Sequence, residues 1–191
     1  MNRIGIFGGS FDPVHLGHLL VAESAREELD LARLFFVPAA QSPFKPDATP
    51  SPAHERLRLL RLALAGREWC ELDEQEIARG GVSFTIDTVR DYSRRFPNAE
   101  IFWLIGADHA PLLPKWRDAA ELAALTQFAV VPRPGESTIT LPSPFRGRVL
   151  AGFPLEVSSS RIRARVRSGL TIAHLVPAPV AEAIHNNRLY L

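Results

Sequence analysis

The chain has 191 residues, of which 46% are hydrophobic and 23% charged, and a net charge of +1. That length suits a single domain over 1–191 with a sizeable core, and the charge balance leaves no broad basic field for nucleic acid. The single Cys70 excludes an intramolecular disulfide and a cysteine-built zinc site; no apolar run has the length of a membrane span and no signal peptide precedes the first strand, which points to a cytoplasmic protein.

Ile4 to Phe7 is a short apolar run that predicts a buried strand. Gly8-Gly9 is expected to end it, because two glycines turn the backbone sharply and admit a ligand to bare N–H groups. Pro13 blocks a regular continuation. A helix is predicted over 16–29, with Leu19, Ala22, Ala25 and Leu29 inward. Strand, glycine turn and helix start form a common phosphate-site geometry. His15 and His18 are three apart where that helix begins, so they share a face, and Ser10 and Asp12 lie beside them. Leu34 to Val37 reads as a second buried parallel strand, completing a βαβ unit.

The proline-rich stretch 38–52 follows the carboxyl end of that strand, where ligands bind in open α/β sheets. It holds Lys45, which on its own reads as a solubilising loop residue. A helix over 53–64 turns Leu57, Leu60 and Leu64 inward and Arg56, Arg58 and Arg61 outward, with Ser51-Pro52 as cap and first turn. Trp69 to Leu72 is a third strand. Glu74 and Glu76 read as a solvated loop. Gly80-Gly81 break the chain, and Thr85 is expected to cap a helix reaching Arg95, with Ile86, Val89 and Tyr92 inward.

Ile101 to Ile105 is the fourth and most apolar strand, ended by Gly106-Ala107-Asp108. A carboxylate at the end of a parallel strand, just after glycine, suits ribose hydroxyls. Trp116, after a proline-rich turn, reads equally as a core anchor or as an aromatic face for a ligand ring. A short helix over 118–125 and a strand from Phe128 to Val131 follow, closed by Pro132-Arg133-Pro134-Gly135. The stretch 136–145 lacks periodicity and is expected to be a loop before a short edge strand, Arg148 to Leu150. Val157-Ser158-Ser159-Ser160 opens a helix reaching about residue 168. Three serines there are a cap signal and present hydroxyls and free N–H groups to an anion, which Arg163 in the first turn also reaches. Arg161, Arg165 and Arg167 read as solvated. A last helix starts at Pro177 or Pro179 and ends near Asn187; His174 and His185 read as structural, and His54 and His109 carry no motif. Alternating strands and helices make an α/β fold with a Rossmann-like doubly wound parallel sheet.

The stretch Gly8-Gly9-Ser10-Phe11-Asp12-Pro13-Val14-His15-Leu16-Gly17-His18 resembles the G-G-[ST]-F-D-P-[IV]-H-x-G-H signature of the nucleotidyltransferase superfamily with an H-x-G-H element. Within it the wording is most similar to the bacterial nicotinate-nucleotide adenylyltransferases. Four further stretches match in order. Pro38, Pro43 and Lys45 fit P-x-x-x-x-P-x-[KR], with Phe44 where the family often has His. Ser83 to Val89 fits [ST]-[YF]-T-x-x-T-[LIV], and Gly106 with Asp108 fits G-x-D. Val157 to Arg163 is similar to I-S-S-T-x-[IV]-R, with Val157 for Ile and Ser160 for Thr. Arg117 stands where some members have an aromatic residue.

The resemblance implies transfer of the adenylyl group of ATP to nicotinate mononucleotide, giving deamido-NAD and pyrophosphate, in NAD biosynthesis. It implies Mg²⁺ carried with ATP. The acceptor phosphate is ionised at neutral pH and needs no general base, so catalysis is positioning and charge stabilisation. His18 is expected on the α-phosphate. His15, Lys45, Ser159, Ser160 and Arg163 are expected on the β- and γ-phosphates, with Gly8, Gly9, Ser10, Phe11, Gly106 and Asp108 completing the ATP side. Lys45, Phe84, Thr85, Asp108 and Trp116 form the acceptor side. Partners are then the two substrates, without nucleic acid or membrane; homo-oligomerisation is left open. The alternatives are nicotinamide mononucleotide as acceptor, or a non-catalytic nucleotide sensor.

Overall fold

The computed structural model describes residues 2–44, 49–132, 139–153 and 155–191. Six parallel strands form one sheet: β1 (Asn2–Gly9), β2 (Arg33–Pro38), β3 (Cys70–Leu72), β4 (Ala99–Gly106), β5 (Gln127–Val131) and β6 (Gly147–Val149), in the order β3-β2-β1-β4-β5-β6. Seven α-helices are described: α1 (Leu16–Leu29), α2 (Ala53–Leu64), α3 (Gln75–Arg79), α4 (Thr85–Arg95), α5 (Ala119–Leu125), α6 (Ser159–Arg167) and α7 (Ala178–Asn186). Among the described residues no helix is long and apolar enough to cross a membrane.

Strand side chains alternate between two cores, which is why these runs are apolar throughout. Leu34, Phe36, Phe102 and Leu104 pack with α1, α2 and α7 on one face. Ile4, Ile6, Phe35, Val37, Trp103 and Ile105 pack with α4, α5 and a 3-10 segment, Ala107–Lys115, on the other. The doubly wound sheet follows from this two-sided burial. The strand order reverses between β1 and β4, and a crevice at such a point, beyond the carboxyl ends of the strands, is where α/β sheets bind ligands.

Several local expectations need correction. Gly8 and Gly9 do not turn the chain; β1 runs through both, and the turn falls at Phe11, whose φ is +47°. Gly8 is required for packing, since a Cβ there would stand 2.6 Å from Cζ2 of Trp103. Thr85 is the first residue of α4 and Phe84 occupies the cap position. Pro52 occupies the cap position of α2 with no side-chain cap; Ser51 instead donates its backbone N–H to Asp12 Oδ2 at 3.1 Å. Glu74 and Glu76 are not a solvated loop. Glu74 precedes α3 and pairs with Arg61, while Glu76 lies within α3 and is 3% exposed. Arg56 does not face outward: it is 1% exposed.

Candidate active site

The first turn of α1 is built around its two histidines. Their rings stack with centroids 3.7 Å apart. The backbone N–H of His15 donates to Nδ1 of His18 at 3.2 Å. A neutral His18 with an accepting Nδ1 carries its proton on Nε2, which leaves that N–H as a donor. Phe11 is buried and meets the His18 ring edge-on at 4.9 Å, so it supports the imidazole from beneath. Gly17 is the second close approach: a Cβ there would lie 3.0 Å from His15 Nδ1. Burial lowers the pKa of His15 to about 4. Burial, and then proximity to His15, holds His18 well below its ordinary value. Both imidazoles are therefore neutral at pH 7, and His15 Nδ1 is buried without a hydrogen-bond partner among the described residues.

Helix α6 delivers the second group of donors. Ser158 caps it, accepting from the N–H of Arg161 at 3.3 Å. Ser159 Oγ donates to Pro13 O at 2.9 Å, and Arg163 Nη1 donates to Asp12 O at 2.6 Å. These two bonds dock the tip of α6 on the loop before α1. His15, His18, Ser159, Ser160 and Arg163 thus line one cleft of about 480 Å³, with Ser10, Phe11, Gly106 and Asp108 also on its walls. Arg161 and Arg167 are solvent-exposed and Arg165 is bonded to Thr171 O, away from the cleft.

A second cavity of about 610 Å³ opens on the other side of the β1–β4 ends. Gly8, Gly9, Thr85, His109 and Trp116 line it, and Ser10, Ala39, Ser42, Gly106 and Asp108 line both cavities. Each is of the size that holds one nucleotide-sized ligand. Phe84 lies in a smaller adjoining recess of about 200 Å³, beside Phe44, Thr85, Trp116 and Arg117. Arg117 stacks its guanidinium 4.7 Å over the Phe84 ring. Phe44, His109 and Trp116 form an aromatic group, with Phe44 centred 4.9 Å from His109 and 5.4 Å from Trp116. Gly106 lies beneath Asp108: a Cβ there would stand 2.7 Å from Asp108 Oδ1 and turn that carboxylate aside.

Lys45 and the stretch Arg133 to Gly135 lie outside the described residues. His54 is exposed beside Glu55. Two participants escaped the sequence reading. Arg56 sends Nη1 to Ser10 O at 2.8 Å and Ala39 O at 2.9 Å, and Nε to Ser51 O at 3.0 Å. Glu76, on the wall of the second cavity, accepts from Thr88 Oγ1 at 2.5 Å. For Arg56 a signal existed: it shares the helical stripe of Leu60 and Ala63, at i+4 and i+7.

Among the described residues no group of three or more His, Cys, Asp or Glu is placed to hold a metal ion. Among the described residues, the carboxylates lining the cleft under α1 and α6 are Asp12 and Asp108. Asp12 is 7% exposed and already accepts from Ser51.

A family model described as cytidylyltransferase-like matches residues 6–165. A protein of Opitutus terrae named "Probable nicotinate-nucleotide adenylyltransferase" is 40% identical over 98% of this chain and 97% of its own length. One of Gemmatimonas aurantiaca with the same name is 42% identical over 98% of this chain and 92% of its own length. The Plasmodium falciparum nicotinic acid mononucleotide adenylyltransferase complexed with NaAD superposes with a TM-score of 0.77 at 17% identity, covering 100% of this chain and 98% of that one. At that identity the likeness speaks for the fold alone.

Proposed function

The chain belongs to the cytidylyltransferase-like family and, within it, to the nicotinate-nucleotide adenylyltransferases, and from that premise we propose how its two cavities carry out adenylyl transfer. The chain joins the adenylyl group of ATP to nicotinate mononucleotide, giving deamido-NAD and pyrophosphate, a step in NAD biosynthesis. The observation that carries the assignment of sides is the shared wall. Two nucleotide-sized cavities meet at Ser10, Ala39, Gly106 and Asp108, at the reversal point of the sheet.

ATP takes the cleft under α1 and α6, and the mononucleotide takes the cavity with Thr85 and Trp116. An oxygen of the acceptor 5′-phosphate attacks the α-phosphorus; the bond to the bridging oxygen breaks and pyrophosphate leaves with that electron pair. The attacking oxygen is ionised and no proton need be removed. His18 donates Nε2–H to the α-phosphate as charge develops there. This is stabilisation by a preorganised donor, which requires no reorientation at the moment of reaction. His15, Ser159, Ser160 and Arg163 hold the β- and γ-phosphates, and Lys45, outside the described residues, is assigned to the same phosphates from its place in the motif. Ser10 and Phe11 line the approach; Gly8 and Gly9, expected on the ATP side, lie within β1 and line the second cavity instead. Asp108, on the shared wall, accepts ribose hydroxyls, and Trp116 stacks on the electron-poor pyridine ring, with Phe84 and Thr85 beside it. Mg²⁺ carried in with ATP would supply neutralisation of phosphate charge. Residues 1–191 act as one catalytic unit, and the cytoplasm, which supplies ATP, is its place.

A panel of acceptors with ATP and Mg²⁺, read as pyrophosphate released, tests this. Release with nicotinate mononucleotide is expected. Release with none of the mononucleotides, despite ATP binding, would make the chain a sensor instead.

A further inference from the structure

The oxygen and nitrogen of one peptide unit, Ala39–Ala40, are held by side chains from opposite sides of the sheet. Arg56 Nη1 donates to Ala39 O at 2.9 Å, and Ala40 N–H donates to Ser83 Oγ at 2.9 Å. Both anchors are buried: Arg56 is 1% exposed and Ser83 is 7% exposed. Behind Ser83 stands Glu76, 3% exposed and on the same cavity wall, which accepts from Thr88 Oγ1 at 2.5 Å; Arg79 Nη2 reaches the Thr88 hydroxyl at 3.2 Å. Behind Ala39, the same Arg56 nitrogen holds Ser10 O at 2.8 Å, and Asp12 lies close enough to favour its charge. The peptides on either side are tied by backbone bonds: Ala39 N–H donates to Gly9 O, and Gln41 O accepts from Ser83 N–H, each at 2.9 Å.

Ala39 lines both cavities, and Ala40 lines the phosphate cleft. We infer that Arg56 and the Glu76–Ser83 pair are positioning residues that fix the Ala39–Ala40 peptide as the partition between the two substrates, and so set the alignment of the attacking phosphate with the α-phosphorus. Neither anchor need touch a substrate for this. Fixing both ends of the peptide plane removes its freedom to rotate, and a wall misplaced by about 1 Å can cost about 10²-fold in rate. A buried arginine on three carbonyls and a buried glutamate on the Thr88 hydroxyl are costly features for a fold that only needed packing there, since apolar side chains fill such volume without a desolvation penalty.

The inference rests on the adenylyl-transfer reading, and the test separates the two. Ser83→Ala, Arg56→Lys and the double variant are assayed beside the unaltered chain for kcat, for KM of each substrate, for dissociation constants of each substrate alone by calorimetry, and for thermal midpoint. Ser83→Ala is the mild variant that keeps the test open should Arg56→Lys fold poorly. Its kcat is expected to fall about 10- to 100-fold, with each dissociation constant changed less than about threefold. The double variant is expected to lose less than the product of the single losses, because both act on one peptide. Ser83→Thr, which keeps the hydroxyl, is expected to restore most of kcat. Normal kcat in Ser83→Ala overturns the inference, as does a loss confined to one substrate's binding or a strictly multiplicative double variant. Absence of pyrophosphate from the unaltered chain counts against the reaction itself.

Discussion

The ring of His15 lies on the ring of His18, with centroids 3.7 Å apart and planes inclined by 23°, while the His15 backbone feeds a hydrogen bond to Nδ1 of His18. Stacking of this kind is tolerable because burial keeps both imidazoles neutral. The pair thus presents oriented N–H donors, rather than two cations, to the cleft proposed for the polyphosphate. Turnover should depend most on the ring nearer the α-phosphate. His18→Ala is expected to lower kcat by about 10²–10³-fold, the usual cost of one oxyanion-type donor, with the circular dichroism spectrum unchanged. Near-normal pyrophosphate release from a folded His18→Ala protein would remove His18 from the mechanism.

The same burial makes stability depend on pH. His15 has a pKa of about 4 in the folded chain against an ordinary value of 6.5. Between those values the unfolded chain binds a proton that the folded chain does not, so stability rises with pH through the window and is lost as pH falls through it. Complete above pH 6.5, the His15 contribution is about 3 kcal/mol at most. His18 acts in the same direction. Denaturant unfolding of the ligand-free protein at pH 7 and pH 4.5 is expected to show this drop, and His15→Gln to show a smaller one. Carboxylates titrating near the acid end affect both proteins alike, so the difference between them is the informative quantity.

Two glycines of the first motif should fail in different ways when given a methyl group. In Gly8→Ala the new Cβ meets Trp103 in the core, 2.6 Å from Cζ2. Overpacking of that kind costs about 1–3 kcal/mol and should show as a lower thermal midpoint. In Gly17→Ala the Cβ presses on His15 Nδ1 at 3.0 Å, at the edge of the cleft. Here kcat is expected to fall about tenfold through displacement of the imidazole, with the midpoint nearly unchanged. Equal losses of stability in the two variants would contradict this division.

What the chain discloses before folding is uneven. Strand burial was legible because neighbours such as Phe35 and Phe36, or Trp103 and Leu104, are both apolar, and only a sheet covered on two faces needs that. The cleft shared by His15, His18 and the serines near 158–160 was legible because these residues sit at helix starts, whose chemistry is local. Arg56 and Glu76 were misread for the opposite reason. A charged side chain next to leucines or in an acidic loop ordinarily faces water. What buries these two is carbonyls and hydroxyls from residues 5 to 46 positions away in the chain. Nor does the sequence separate a glycine kept for a turn from one kept for a neighbouring ring, which is why Gly8 was assigned to a bend it does not make.

Acceptor choice should depend on Arg117. Its guanidinium lies 4.7 Å over Phe84 and 3.8 Å from Asp87 Oδ2, and it lines the small recess beside Thr85 and Trp116. Stacking on Phe84 holds the planar cation beside the place proposed for the pyridine ring, and the Asp87 contact leaves donors of the guanidinium for a ligand. Nicotinate and nicotinamide mononucleotides differ there by a carboxylate against a carboxamide. A charge-assisted hydrogen bond to the carboxylate contributes about 1.5 kcal/mol or more, which is about tenfold in kcat/KM. Arg117→Ala is therefore expected to lower kcat/KM for nicotinate mononucleotide about tenfold and to change that for nicotinamide mononucleotide less than about twofold. The two acceptors compared in parallel at fixed ATP decide it. An equal fall for both would mean that Arg117 braces Phe84 and α4 without meeting the carboxylate, and discrimination would then rest on Thr85 and the N–H groups at the start of α4.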